Sequence, residues 1–150
     1  MTEFLHVEVL DLAKTVRDVM TKDPVALSSD SSVAQAAKAM SDFKIGSVVV
    51  MEKDKPCGIV TDRDITVRAV ATGSDPAKTR LSDICTHSLA AVRPDQSVDD
   101  AIQVMKSHDV KRVVVMTDSK LEGIVTLGDL AARNEDQDVQ DDLSRAEPNN

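Results

Sequence analysis

Apolar positions along this chain alternate between two periods, and they do so twice. In "DSSVAQAAKAM" (30–40), Val33, Ala36, Ala37 and Met40 fall at i, i+3, i+4 and i+7, one face of a helix, with Ser31 or Ser32 placed to cap it. "DQSVDDAIQVM" (95–105) repeats the arrangement with Val98, Ala101, Ile102 and Met105. Each helix is followed by a short β-branched run, "SVVVM" (47–51) or "RVVVM" (112–116). These runs are too short for helices and lack alternation, so they read as buried strands. The turns "EKDKPCG" and "TDSKLEG" then bring Gly58 and Gly123 to a further strand, "IVT", and a helix is expected to start near Asp62 and again near Leu127. Ahead of each long helix stand a short helical lead ("TVRDVM" 15–20, "RLSDIC" 80–85) and a short strand ("PVALS" 24–28, "LAAVR" 89–93). The unit is β-α-β-β-α, twice.

The two units are copies. Displaced by 65 residues, segments 16–65 and 81–130 share 18 identities in 50 gapless positions. Chance gives about one in fifteen from average residue usage. "VVVM" falls on "VVVM", "GIVT" (58–61) on "GIVT" (123–126), and Asp64 on Asp129. Fifty residues bury a poor core alone. The expectation is therefore an α/β (α+β) fold in which two β-α-β-β-α repeats pack sheet against sheet about a pseudo-twofold axis. The boundaries read from the sequence are an extension at 1–14, a first repeat at 15–73, a linker at 74–79, a second repeat at 80–133 and a disordered acidic tail at 134–150.

Composition narrows the chemistry. The core must be aliphatic, since the chain has two Phe and no Trp or Tyr. Stacking platforms for single-stranded nucleic acid are thereby disfavoured. The net charge is −8, of which the last seventeen residues carry −5, and no basic stripe exists for duplex nucleic acid. Cys57 and Cys85 lack metal spacing and read as reduced thiols of a cytoplasmic protein. No run reaches the roughly 18 apolar residues of a membrane span, and no signal peptide is visible.

Thr61 with Asp64, and Thr126 with Asp129, form a T-x-x-D pattern where a strand gives way to a helix. The spacing suits a nucleoside: the strand end delivers a hydroxyl, the carboxylate can accept from vicinal ribose hydroxyls, and the helix start favours phosphate. It suits a plain helix cap equally well. The copies differ where charge matters. The first has Asp62 and Arg63 inside the motif, the second Leu127 and Gly128. At the entry to each copy's own second strand, the "VVV" run, the first has Gly46 and Ser47, the second Lys111 and Arg112.

The element order, "DVM" before the first strand, "VVV" in the second and "GIVT-x-x-D" in the third resemble the cystathionine-β-synthase (CBS) domain, and two in tandem resemble a Bateman module. The resemblance covers about 15–133. It implies regulatory binding of an adenosine ligand (AMP, ADP, ATP or S-adenosylmethionine) with no required cofactor, and a homodimer acting on a separate, unidentified effector protein. Carried over position by position, it puts Asp64 and Asp129 on ribose, and Thr61 and Thr126 on ribose or phosphate. Arg63, Lys111 and Arg112 would converge on phosphate. Adenine would lie against Val25, Ala26, Ala90 and Ala91 and over Ile45, Ile59, Val110 and Ile124. Lys22 and His87 are weaker candidates at the first strand's entrance.

No Ser-His-Asp order, HExxH, Walker A loop or GxGxxG occurs, and Asp62 and Asp64 diverge by about 200° around a helix, so no enzyme is expected. His6, His87 and His108 are scattered, and a zinc site would require folding to gather them with a cysteine. The Met residues read as core filler, and the acidic tail as a solubilising extension or a partner contact. The alternative to a nucleotide sensor is a ligand-free, stress-related interaction scaffold in which T-x-x-D only caps helices.

Overall fold

The computed structural model describes residues 14–134. The proposed extension before Lys14, the acidic tail beyond Asn134 and His6 lie outside the described residues. Two compact units are present: Pro24–Leu89, and a second made from the segment up to Asp23 together with the chain from Ala90.

In the 24–89 unit, β2 (Ala26–Ser28), β3 (Ser47–Glu52) and β4 (Lys55–Thr61) form a sheet in that order, β2 parallel and β4 antiparallel to β3. The helix α2 (Val33–Phe43) covers it. Ser32 caps α2: its hydroxyl accepts from Gln35 N–H at 3.1 Å, while Ser32 N–H donates to Gln35 Oε1 at 2.8 Å. Val33, Ala36 and Met40 point into the core with Val48, Val50, Val60, Leu81 and Ile84. Ala37 does not join them: it is exposed. A face of 3.6-residue period admits one residue per turn at its edge, and here that edge stays in water. After β4 come α3 (Asp62–Ile65), a π-helical segment (Thr66–Val70) and α4 (Leu81–Ile84). Full burial of Leu81 alone stabilises by about 1.5–3 kcal/mol relative to exposure.

The other unit repeats this plan. The segments α1 (Val16–Val19) and β1 (Thr21–Lys22) are followed, beyond Ala90, by β5 (Ala91–Val92), α5 (Val98–His108), β6 (Arg112–Thr117), β7 (Lys120–Thr126) and α6 (Leu127–Asn134). Its sheet order is β1-β7-β6-β5. Both central hairpins carry a β-bulge at the same place, between Val50 and Met51 and between Val115 and Met116.

The sequence repeat and the packing unit cut the chain differently. The lead of the first copy pairs with the third strand of the second, Thr21 opposite Ile124 and Lys22 opposite Gly123. The lead of the second copy pairs with the first, Ile59 opposite Thr86. The glycines of the two "GIVT" stretches permit these approaches. A Cβ on Gly58 would lie 2.6 Å from Thr86 O and 3.0 Å from Cys85 Sγ. One on Gly123 would lie 2.7 Å from both Thr21 O and Met20 Sδ.

Candidate functional site

Strand β4 ends at Thr61, and the chain turns directly into α3. Asp64 N–H donates to Thr61 Oγ1 at 3.1 Å, and Thr61 N–H donates to Asp64 Oδ2 at 2.9 Å. Strand β7 and α6 reproduce the exchange, with Asp129 N–H to Thr126 Oγ1 at 3.0 Å and Thr126 N–H to Asp129 Oδ2 at 3.0 Å. Both T-x-x-D motifs are thus reciprocal helix caps. Capping alone does not single them out. Thr15 N–H donates to Asp18 Oδ2 at 2.9 Å at the start of α1, and Ser97 caps α5 with Asp100.

Burial does single them out. Asp18 and Asp100 are exposed, whereas Asp64 is 8% exposed and Asp129 half-buried. Holding a carboxylate out of water is costly unless it is paired and hydrogen-bonded. Asp64 has the Thr61 N–H on Oδ2 and the Arg68 guanidinium 3.7 Å from Oδ1. That second oxygen has an ion pair at longer than hydrogen-bond reach, so it keeps acceptor capacity. The Thr61 hydroxyl, an acceptor in the cap, keeps its own proton to donate. Arg68, which sequence reasoning did not select, extends further. Its Nη1 donates to Ile84 O at 2.9 Å and to Thr86 Oγ1 at 3.3 Å. Its only sequence signal is position: it stands four residues after Asp64, one helical turn on.

The other candidates divide between the units. Arg63 is exposed in the 24–89 unit, beside Asp62, whose Oδ1 accepts the Arg63 N–H at 2.8 Å. In the other unit Lys111 is exposed and Arg112 half-buried, with Arg112 Nε buried and without a hydrogen-bond partner. Arg112 lies directly across the ladder from Thr126. Of the residues assigned to adenine, Val25 and Ile45 are partly buried against the 24–89 core, and Ala26 is exposed. Ala90 is a core residue of its unit, Val110 packs partly against that core, and Ala91 is exposed. Lys22 is an exposed residue of β1. His87 is exposed, with Nε2 3.5 Å from Cys85 Sγ.

The two thiols sit in the 24–89 core, Cys85 buried and Cys57 half-buried. Burial pushes both above the ordinary thiol range. The Glu52 charge adds to the effect at Cys57, and the neighbouring Cys57 adds to it at Cys85. His108 is engaged within its own helix, its Nδ1 donating to Val104 O at 3.0 Å. Among the described residues no three His, Cys, Asp or Glu gather as metal ligands.

The CBS-domain family model matches residues 16–70 and 81–135. The chain belongs to the CBS-domain family. It is 35% identical over 117 residues to the CBS domain-containing protein YhcV of Bacillus subtilis, covering 78% of this chain and 83% of that one. To the Hypoxic response protein 1 of Mycobacterium tuberculosis it is 31% identical over 118 residues, covering 78% and 82%. The crystal structure of Hypoxic Response Protein I with two coordinated zinc ions superposes with a TM-score of 0.70 at 29% identity, covering 80% of this chain and 98% of that one. The family model that matches is that of the CBS domain and not of a catalytic family. Among the described residues no helix is long and apolar enough to cross a membrane.

Proposed function

We propose that this CBS protein is a regulatory module that binds an adenosine-containing ligand (AMP, ADP, ATP or S-adenosylmethionine) and acts on a separate effector protein. The observation that carries this reading is the state of Asp64. Its carboxylate is buried, one oxygen is spent on the cap, and the other retains acceptor capacity beside a strand-end hydroxyl that can donate. A vicinal diol offers what such a pair lacks, two short donors and an acceptor in one group. Asp129 and Thr126 repeat the arrangement in the other unit with Arg112 one strand away, whose buried Nε would suit a phosphate.

The role as a signal receiver requires the ligand to prefer one of two conformations. A cytoplasmic homodimer is the form in which we expect it to work. Calorimetry with AMP, ATP and S-adenosylmethionine tests the reading, with Asp64→Ala and Asp129→Ala as controls. Binding weakened at least tenfold by either change supports it. No heat from any of the three at millimolar concentration ends it. A second reading, a ligand-free, stress-related interaction scaffold, is favoured by the caps themselves, which account for Thr61 and Asp64 without a ligand; its stress-related part draws on the relative named Hypoxic response protein 1. Ultraviolet absorbance separates the two: with no Trp or Tyr in the chain, a co-purified adenine dominates the spectrum.

A further inference from the structure

Within the 24–89 unit, polar contacts run in a closed circuit through Arg68. Thr61 and Asp64 exchange two hydrogen bonds at the end of β4. Asp64 Oδ1 faces Arg68 Nη2 at 3.7 Å. The same guanidinium donates to Ile84 O, the carbonyl that ends α4, and to the Thr86 hydroxyl. Thr86 in turn exchanges two backbone hydrogen bonds with Ile59, two residues before Thr61 (Ile59 N–H to Thr86 O 3.1 Å, Thr86 N–H to Ile59 O 3.0 Å). The π-helical segment 66–70, which carries Arg68, is a geometry proteins seldom adopt and often place at functional sites.

The contacts are unequal. The bond to Ile84 O is short, while the ion pair to Asp64 is long and rests on the one carboxylate oxygen that the cap leaves over. A hydroxyl arriving at Asp64 Oδ1 therefore competes with Arg68 for the same oxygen. Arg68 would answer by settling toward Ile84 O and Thr86 Oγ1. We propose that Arg68 is a positioning residue of the Asp64 site: it holds Oδ1 for a ligand hydroxyl and passes the occupancy of that oxygen to the 81–86 segment. This rests on the adenosine-ligand reading above.

The test uses the full chain, with AMP, ATP and S-adenosylmethionine as probes. It pairs calorimetry with amide hydrogen exchange of a peptide spanning 81–87. In the unsubstituted protein, the probe that binds should slow exchange at Cys85 and Thr86 by roughly three- to fivefold, the scale of one hydrogen bond's net contribution. Arg68→Gln should weaken binding by a similar factor and abolish that slowing. A change in stability alone, with affinity and the ligand-linked slowing retained, would leave Arg68 a structural residue and overturn the proposal. Should Arg68→Gln fail to fold, Arg68→Lys, which keeps the charge but not the fork of donors, carries the same two readouts and must lose at least the exchange response. If no probe binds the unsubstituted protein, the adenosine reading itself fails, and the calorimetry shows this before any variant is compared.

Discussion

Gly58→Ala is the sharpest test of the packing that places the site. The added Cβ would stand 2.6 Å from the Thr86 carbonyl oxygen and 3.0 Å from Cys85 Sγ. Neither neighbour is the loose end of a flexible chain. The carbonyl belongs to backbone and already accepts the Ile59 N–H at 3.1 Å, and Cys85 is buried. Something must therefore shift. Overpacking of this kind costs about 1–3 kcal/mol, and a carbonyl pushed off its donor forfeits about 0.5–1.5 kcal/mol more. The expected loss is about 2–4 kcal/mol. At the 2–4 °C per kcal/mol of a chain this size, Tm should fall by roughly 5–15 °C. Far-UV circular dichroism during heating and in urea measures it, since no Trp reports on folding. Gly128→Ala is the matched control. Its Cβ would meet only Thr126 Oγ1 at an ordinary 3.7 Å, and it lies in α6. There Ala is the better helix former by about 0.8–1 kcal/mol, so this variant should hold or gain stability. A Gly58→Ala protein that melts within a degree or two of the original would refute the exchanged pairing of 85–86 with β4.

Further outcomes follow from other contacts. Asp64→Ala leaves the Thr61 N–H without its acceptor and Arg68 without its ion pair, and should cost about 1–3 kcal/mol; Asp18→Ala, at an exposed cap, should cost about 1 kcal/mol or less in the same urea titration. Ser97→Ala should destabilise by about 0.5–2 kcal/mol through loss of the α5 cap, also read by urea unfolding. Both thiols are held protonated by burial, so Cys57 should react with Ellman's reagent slowly at neutral pH and faster only well into the alkaline range, with buried Cys85 slower still. Because their values are raised in the folded state, their contribution to stability is complete below the unfolded thiol value and is lost as pH rises through the folded one. Alkaline unfolding of Cys85→Ser should therefore begin at higher pH than that of the unsubstituted chain.

Much of the fold was legible because duplication and periodicity are local signals. Val33 and Val98, Ser32 and Ser97, and the two "VVV" strands stand where the pattern put them. The exchanged leads were not legible. A displacement of 65 residues is equally consistent with Thr21 pairing within its own copy or with Ile124 of the other. The deciding fact is the space over Gly58 and Gly123, which no period reveals. The candidate site was legible as a motif and not as a ranking. Thr15–Asp18 and Thr61–Asp64 have the same spacing and the same N–H to carboxylate bond; the Thr61 hydroxyl also accepts the Asp64 N–H, and burial, set by the fold around them, separates an exposed carboxylate from a buried one. Arg68 was invisible for a related reason: its partners at 84 and 86 are sixteen and eighteen residues away.

The contrast between "DR" at 62–63 and "LG" at 127–128 turns out to be tied to a second contrast, Gly46–Ser47 against Lys111–Arg112. In each unit the first residue of the helix donates its N–H to the residue before the strand, Asp62 to Gly46 O at 3.0 Å and Leu127 to Lys111 O at 2.9 Å. The two side chains at each pair are therefore neighbours. A Cβ on Gly46 would lie 3.4 Å from the Asp62 carboxylate, so the first copy pairs a carboxylate with a residue that has no side chain. In the second copy Leu127 is buried in the core, and the neighbouring position carries a lysine. The substitutions are thus two coupled pairs: where the helix start is acidic the strand start is bare, and where the helix start turns apolar the strand start is basic. The first cap is left with Asp62 beside it, tempered by Arg63 and by the Arg68 guanidinium that faces Asp64, and the second with a basic strand start. If both caps take the same class of ligand, the second should hold a phosphorylated form more tightly than the first. Titration of Asp64→Ala and Asp129→Ala with adenosine and with ATP decides this. Asp129→Ala should cost more of the ATP affinity than of the adenosine affinity, and equal losses for both ligands would mean that the coupled substitutions serve packing alone.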